Sequence, residues 1–363
     1  MFASKISSRS RRTLAVAAAG GLLATLGLTA CGSSKTTASS SGGGSLPTVT
    51  MMVGGIDKQI YLPYELAQQL GFYKKYGVNM QLSTETSGGV GAEDAMASGQ
   101  VDMAGAWYIH TFDFQAKGKD VVNLIQLSGA PGERVLCSKK SGVKTPADFA
   151  GKNIGVTDLG SGTDDLILQL AAHYNVPTSK FHRVGVGAGS TLLAALQQGR
   201  VDCAITTQPT VHAVEAAGAG DSVIDLSSTA GATQYLGGAW PAAGVLALNS
   251  WVQSHQDTVQ KVVDALVATM HWINTHTAAD IANAMPANYT SNGLITKDVY
   301  TSTLAQDKGQ FLADGLMPAN GPATVSQTAK ISGVDVSKVD VSKTYTNKYV
   351  IAADKLEGLP VNG

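Results

Sequence analysis

"LQQGRVDCAI" (residues 196–205) restates "MASGQVDMAG" (residues 96–105) at a distance of one hundred positions. Within a window of sixteen, Gly89 matches Gly189, Ala95 Ala195, Gly99 Gly199, Val101 Val201, Asp102 Asp202 and Ala104 Ala204. Gly99 and Gly199 fall where a helix ends, in the left-handed position that glycine tolerates best. Asp102 and Asp202 then stand at the turn into an apolar, strand-like run. Such a passage specifies a helix-to-strand turn. Written twice, it specifies two similar units.

The organisation upstream repeats as well. "TVTMMVGG" is an apolar, β-branched strand ending in glycines. "YLPYELAQQLGFYKKYG" spaces Leu62, Leu66, Leu70 and Tyr73 as a helix that stops at Gly77. "VNMQLST" predicts a strand and "TSGGVGAEDAMASGQ" a helix, before "VDMAGAW". In the second unit "KNIGVTD", "GTDDLILQLAAHYNV", "FHRVGV", "GAGSTLLAALQQG" and "VDCAITT" alternate in the same order. Two β-α-β-α-β units imply an α/β chain of two lobes. Each lobe is expected to be a parallel-type sheet flanked by helices, with right-handed crossovers.

Ligands of open parallel sheets bind beyond the carboxyl ends of the strands. Those ends carry "TSGG" (86–89) and "GSGT" (160–163). Ser87, Gly88, Ser161, Gly162 and Thr163 therefore offer hydroxyls and main-chain N–H groups at helix starts, which favour anionic or strongly accepting groups. Ser87, Ser161 and Thr163 also read simply as helix caps. Trp107 and Tyr108 fall where a first-unit strand ends and Trp240 at the return between units; the tryptophans also read as core. Gln59 and Gln208 can each donate and accept. Together these residues predict a small, flat or partly apolar organic solute.

The ends and the composition bound the rest. Lys5, Arg9, Arg11 and Arg12 precede an apolar run from 14 to 28, too short for a comfortable membrane span. It ends in Leu28-Thr29-Ala30-Cys31, which resembles a bacterial lipobox with Cys31 as the lipidated residue, and Arg11-Arg12 weakly matches twin-arginine export. A Gly/Ser/Thr tract follows, which reads as a flexible tether. The chain of 363 residues carries a formal net charge of −1, and removing the leader's cations makes it acidic. Without a basic stripe interleaved with aromatics, nucleic acid is not an expected partner. Cys137 and Cys203 lie in strand-like runs, where a bridge and two buried thiols are both readable.

No catalytic or metal constellation emerges. His271 and His276 do not share a helix face, and "GVGAGST" (185–191) only half-matches a dinucleotide loop. His110 could lie near a cleft, but it shows no base partner in the sequence. No cofactor is expected.

Several stretches resemble the substrate-binding proteins of ABC importers, in the group for nitrate, sulfonates, taurine and thiamine-pyrimidine precursors. They are "LPYELAQQLGFYKKYGVNMQL", "AMASGQVDMAGA", "GVKTPADFAGKNIGV", "ALQQGRVDCAITTQPT" and "DVSKTYTNKYV". The resemblance implies a two-lobed periplasmic-binding-protein fold of type II, closing like a flytrap about crossing segments near 129–134 and 237–244. It assigns 1–30 to a signal peptide, 31–47 to the lipidated Cys and tether, 48–130 to lobe 1 and 131–240 to lobe 2. Residues 241–363 then return to lobe 1 and end in a helical region. The implied protein is a monomer, lipid-anchored outside the cell membrane. It would capture an organosulfonate, an aromatic acid or a pyrimidine-like solute for a membrane permease and its ATPase. Thr207-Gln208-Pro209 departs from the group's acidic pattern, which weakens the case for an amine ligand. Lys58 and Arg134 are the nearest cations at the expected rim. Thiamine-pyrimidine synthases share the fold, so an enzyme using the same cleft is the alternative; their cysteine cluster is missing here.

Overall fold

The computed structural model describes residues 45–85 and 89–360. Its strands are β1 (Thr48–Val53), β2 (Asn79–Thr84), β3 (Met103–Trp107), β4 (Val121–Gln126), β5 (Glu133–Cys137), β6 (Asn153–Val156), β7 (His182–Gly185), β8 (Cys203–Thr206), β9 (Asp221–Leu226) and β10 (Ala243–Leu248). They form two sheets of five, ordered β2-β1-β3-β10-β4 and β7-β6-β8-β5-β9. In the first, β1 runs parallel to β2 and β3, while β10 is antiparallel to β3 and β4. In the second, β6 runs parallel to β7 and β8, while β5 is antiparallel to β8 and β9. Both sheets are flanked by helices and have one plan. Each is mixed rather than parallel throughout, because its fourth strand comes from outside the repeated β-α-β-α-β unit.

The repeated sequence has a structural counterpart, bond for bond. The helices Val90–Ala97 and Ser190–Gln197 both end in a Schellman turn. Gly99 and Gly199 have φ of 77° and 67°. Gln100 N–H donates to Ala95 O at 2.8 Å, and Arg200 N–H to Ala195 O at 2.9 Å. The aspartates do more than enter a strand. Asp102 Oδ2 accepts from Thr50 N and Thr50 Oγ1 in β1, both at 2.8 Å. Asp202 Oδ2 accepts from Asn153 N, at the start of β6, also at 2.8 Å. Each aspartate pins the strand it enters to the first parallel strand of its own sheet.

The expected helix over 61–77 is broken. It becomes Leu62–Gln69 and Phe72–Lys75, with Gly71 at φ 71° between them. Two crossing segments connect the sheets and bond to each other: Trp240 N–H donates to Gly129 O, and Leu127 N–H to Ala243 O. Arg134 anchors this region. Its guanidinium pairs with both Asp307 carboxylate oxygens at 2.7 and 2.8 Å and also reaches Asp225 and Ser227. Cys137 and Cys203, opposite each other in β5 and β8, form a disulfide. Among the described residues, no helix is long and apolar enough to cross a membrane. The lipobox, the tether up to residue 44 and the Ser87–Gly88 pair lie outside the described residues.

Candidate functional site

The strand ends of the two sheets meet around a small cavity. Lys58, Ile60, Tyr61, Gly89, Glu93, Trp107 and His110 line it from one side, and Glu133, Thr157, Gly162 and Thr163 from the other. The approach is close. A Cβ on Gly162 would lie 2.1 Å from the Trp107 ring, so only glycine lets that helix start touch the indole. The space left is about 10 Å³, room for a single water. Any organic molecule bound among these residues would need the two walls further apart than they stand here.

Local structure explains which side chains arrive there. Trp107 closes β3, and successive residues of a strand face opposite ways. Trp107 thus lines the cavity, while Tyr108 points away, its hydroxyl bonded to Thr344 and its ring against Phe112 and Tyr345. Trp240 is fully buried behind the site: its ring meets Trp107 edge-on at 5.4 Å, and Nε1 donates to Thr328 Oγ1. Gln59 and Gln208 join the lobes through the main chain, Gln59 N–H donating to Gln208 O at 3.0 Å. Their side chains turn elsewhere, Gln59 Nε2 to Tyr300 and Thr303 and Gln208 Oε1 to His212 N. Ser161 is a prop. Its hydroxyl binds Asp158 O and joins Thr157 and Thr163 in a triangle with sides of 2.8–3.0 Å. Of the described residues named from sequence, Trp107, Gly162 and Thr163 line the cavity; Gln59, Tyr108, Ser161, Gln208 and Trp240 surround or support it.

Two acids that no sequence motif marks also line the cavity, Glu93 and Glu133. Glu93 and Glu133 are 4 % and 3 % exposed. Burial pushes each carboxyl up to about 8, partly offset by His110 beside Glu93 and by Lys58, then Arg134, beside Glu133. Burial alone would lower the His110 imidazole, but Glu93, then Asp113, outweigh it and hold it at about 9. Burial likewise lowers Lys58, whose ammonium donates to Gly54 O at 2.8 Å. His110 is not alone: Nε2 is 3.4 Å from Glu93 Oε1, and Nδ1 is 3.2 Å from Asp113 Oδ2. Among the residues that line the cavity, two buried polar groups have no hydrogen-bond partner, the Trp107 indole N–H and Glu133 Oε2. Unmatched groups at a cavity wall are what a ligand would satisfy. One signal in the sequence could have exposed Glu93: its counterpart in the repeat, one hundred positions on, is Leu193.

The NMT1/THI5-like family model matches residues 60–279. A solved protein from Bordetella bronchiseptica RB50 is 30% identical with a TM-score of 0.79, over 86% of this chain and 98% of that one. The alkanesulfonate-binding protein SsuA from Xanthomonas axonopodis pv. citri, solved bound to MOPS, shares the fold at 17% identity. Its TM-score is 0.64, over 84% of this chain and 99% of that one. A curated relative from Legionella pneumophila, 4-amino-5-hydroxymethyl-2-methylpyrimidine phosphate synthase, is 26% identical over 39% of this chain and 44% of its own length. The chain thus spans less than half of that relative.

Proposed function

The chain belongs to the NMT1/THI5-like family, and from that premise we propose that it is the extracellular solute-binding lipoprotein of an ABC importer. It is held to the membrane through Cys31, closes on its solute between two lobes and delivers it to a permease and ATPase. The solute is a flat, amino-substituted nitrogen heterocycle of the pyrimidine kind. The observation that carries this choice is the pairing of the unpartnered Trp107 indole with two buried carboxyls, Glu93 and Glu133, in one cavity. A protonated carboxyl donates and accepts side by side, and so does the edge formed by a ring nitrogen and its neighbouring amino group. Lys58 and His110 line the same cavity as cations, so an organosulfonate or aromatic carboxylate is the competing solute class.

Calorimetry with a 4-aminopyrimidine, an aromatic carboxylate and an alkanesulfonate tests the class. Binding of the aminopyrimidine alone is expected; a preference for the sulfonate overturns the choice. Replacing Cys31 with Ser should move the protein from membranes to the soluble fraction without changing affinity. The second reading is an enzyme in the same cleft, favoured by the synthase relative. Release of the pyrimidine unaltered after prolonged incubation supports the binding protein; a new product on mass spectrometry supports the enzyme.

A further inference from the structure

His110, which lines the cavity, also belongs to a cluster that reaches out of it. His110 and Asp113 come from the helix His110–Ala116 of the first lobe, and Asp165 from the helix Gly162–His173 of the second. One ligand atom from each can be chosen so that all lie within 4.8 Å of one another. His110 Nδ1 and Asp113 Oδ2 are 3.2 Å apart. Two ligands on a tetrahedral zinc at ordinary bond lengths are about 3.4 Å apart, so this pair already has the required separation. Asp165 is 6 % exposed and has the Ser332 hydroxyl beside it. Its carboxylate accepts no main-chain hydrogen bond among the described residues. On the other ring nitrogen, Glu93 stands 3.4 Å from His110 Nε2. That is the usual relation between a metal-bound imidazole and the carboxylate that orients it.

One oxygen each from Asp113 and Asp165 lies within 4.8 Å of a His110 ring nitrogen, and two carboxylates with a neutral imidazole are a donor set that a divalent cation completes. One nitrogen and two carboxylate oxygens suit a divalent first-row ion of the zinc class. Three protein ligands leave a fourth position open. Asp113, with 29 % of its side chain exposed, gives the ion a way in.

We propose that His110, Asp113 and Asp165 form a divalent-metal site that spans the two lobes and fastens them when closed. The inference does not depend on which solute fills the cavity, and its test uses no solute.

Full-length protein, stripped with a chelator and dialysed, is titrated with Zn²⁺ alone by calorimetry and melted with and without the ion. One equivalent should bind and raise the melting temperature. Asp113→Asn and Asp165→Asn should each weaken binding at least tenfold and abolish the thermal shift, whereas His276→Ala should leave both unchanged. Asp113 is partly exposed, so its variant is expected to fold, which circular dichroism checks. Binding that survives in Asp113→Asn overturns the site, as does binding lost with His276 or no binding by the folded wild type. An Asp165→Asn variant that binds normally while Asp113→Asn does not would overturn the bridge between lobes.

Discussion

The two lobes share a skeleton and differ in what they hang on it. From 89 to 126 and from 189 to 226 the elements keep step at an offset of one hundred: helix, strand, helix, strand. On that common frame lobe 1 carries Glu93, Trp107, His110 and Asp113, where lobe 2 has Leu193, Thr207, Thr210 and Ala213. The lobe 2 hydroxyls are spent on the backbone, Thr207 donating to Gly132 O and Thr210 accepting from Gly189 N. Lobe 2 instead offers Gly162, Thr163 and Thr157, small groups that let the other wall come close. Repetition therefore marks architecture, and departures from repetition mark chemistry. Lobe 1 presents most of the polar side chains at the cavity; lobe 2 adds Glu133 and the small residues that let the two walls come close.

Four experiments would break or sharpen this contrast. The largest effect belongs to a bond that only lobe 2 has. Cys203 pairs with Cys137 across 66 positions, while lobe 1 has Met103 at the matching place. Loop entropy puts such a bridge at about 4 kcal/mol. Reduced protein should lose stability on that scale in denaturant melts, with strands β5 to β9 losing hydrogen-exchange protection first. Equal melts before and after reduction would remove this difference between the lobes.

Next comes the shutting surface. Gly162→Ala places a methyl where the Trp107 ring now lies. Solute affinity should fall about a hundredfold, equivalent to about 2.7 kcal/mol, with the melting temperature nearly unchanged. A variant that binds normally would mean that lobe 2 does not close against Trp107.

The third experiment probes the shared skeleton, where the lobes should behave alike. Asp102→Ala and Asp202→Ala each strip the carboxylate from a strand N–H, and each should cost about 1–3 kcal/mol. Calorimetric melts that differ widely between the two would show that the matching bonds are not equivalent.

The smallest effect is a change of slope. The folded-state value of Glu133, about 8, lies above its unfolded value near 4.5. The stability linked to its proton is thus fully present below about pH 4.5 and lost as pH rises towards 8. Glu133→Gln should flatten the fall in stability across that window. An unchanged pH profile would place the carboxyl outside the buried wall.

The skeleton was legible because its causes are local. A glycine at the end of a helix and an aspartate three residues on need no distant partner to be recognised. The mixed sheets were not legible, since β5 and β10 lie outside the repeated unit and their pairing is decided only when the crossing segments meet. The site was legible in part for a similar reason. Trp107, Gly162 and Thr163 sit at strand and helix ends, where position alone implies a role. Glu93, in the first turn of its helix, looks like an ordinary acid complementing the helix dipole. Glu133 beside Arg134 looks like half of a surface pair. What makes both acids unusual is burial at a cavity lined by residues of both sheets' strand ends, far apart in the sequence. The same blindness joined Tyr108 to Trp107: strand alternation sends the two side chains to opposite faces, and the sequence does not say which face looks into the cleft.

The placement of β10 also sets an order in time. Strands β5 to β9 occupy one unbroken stretch from 133 to 226, so the second sheet has all its members as soon as that stretch exists. The first sheet does not. Its strands β3 and β4 pair only through β10, which ends at Leu248. A chain delivered amino end first therefore carries the first lobe as an unclosed sheet while the whole of the second is made. The lobe that begins first finishes last, and the return strand that joins the two halves is also the one that completes it.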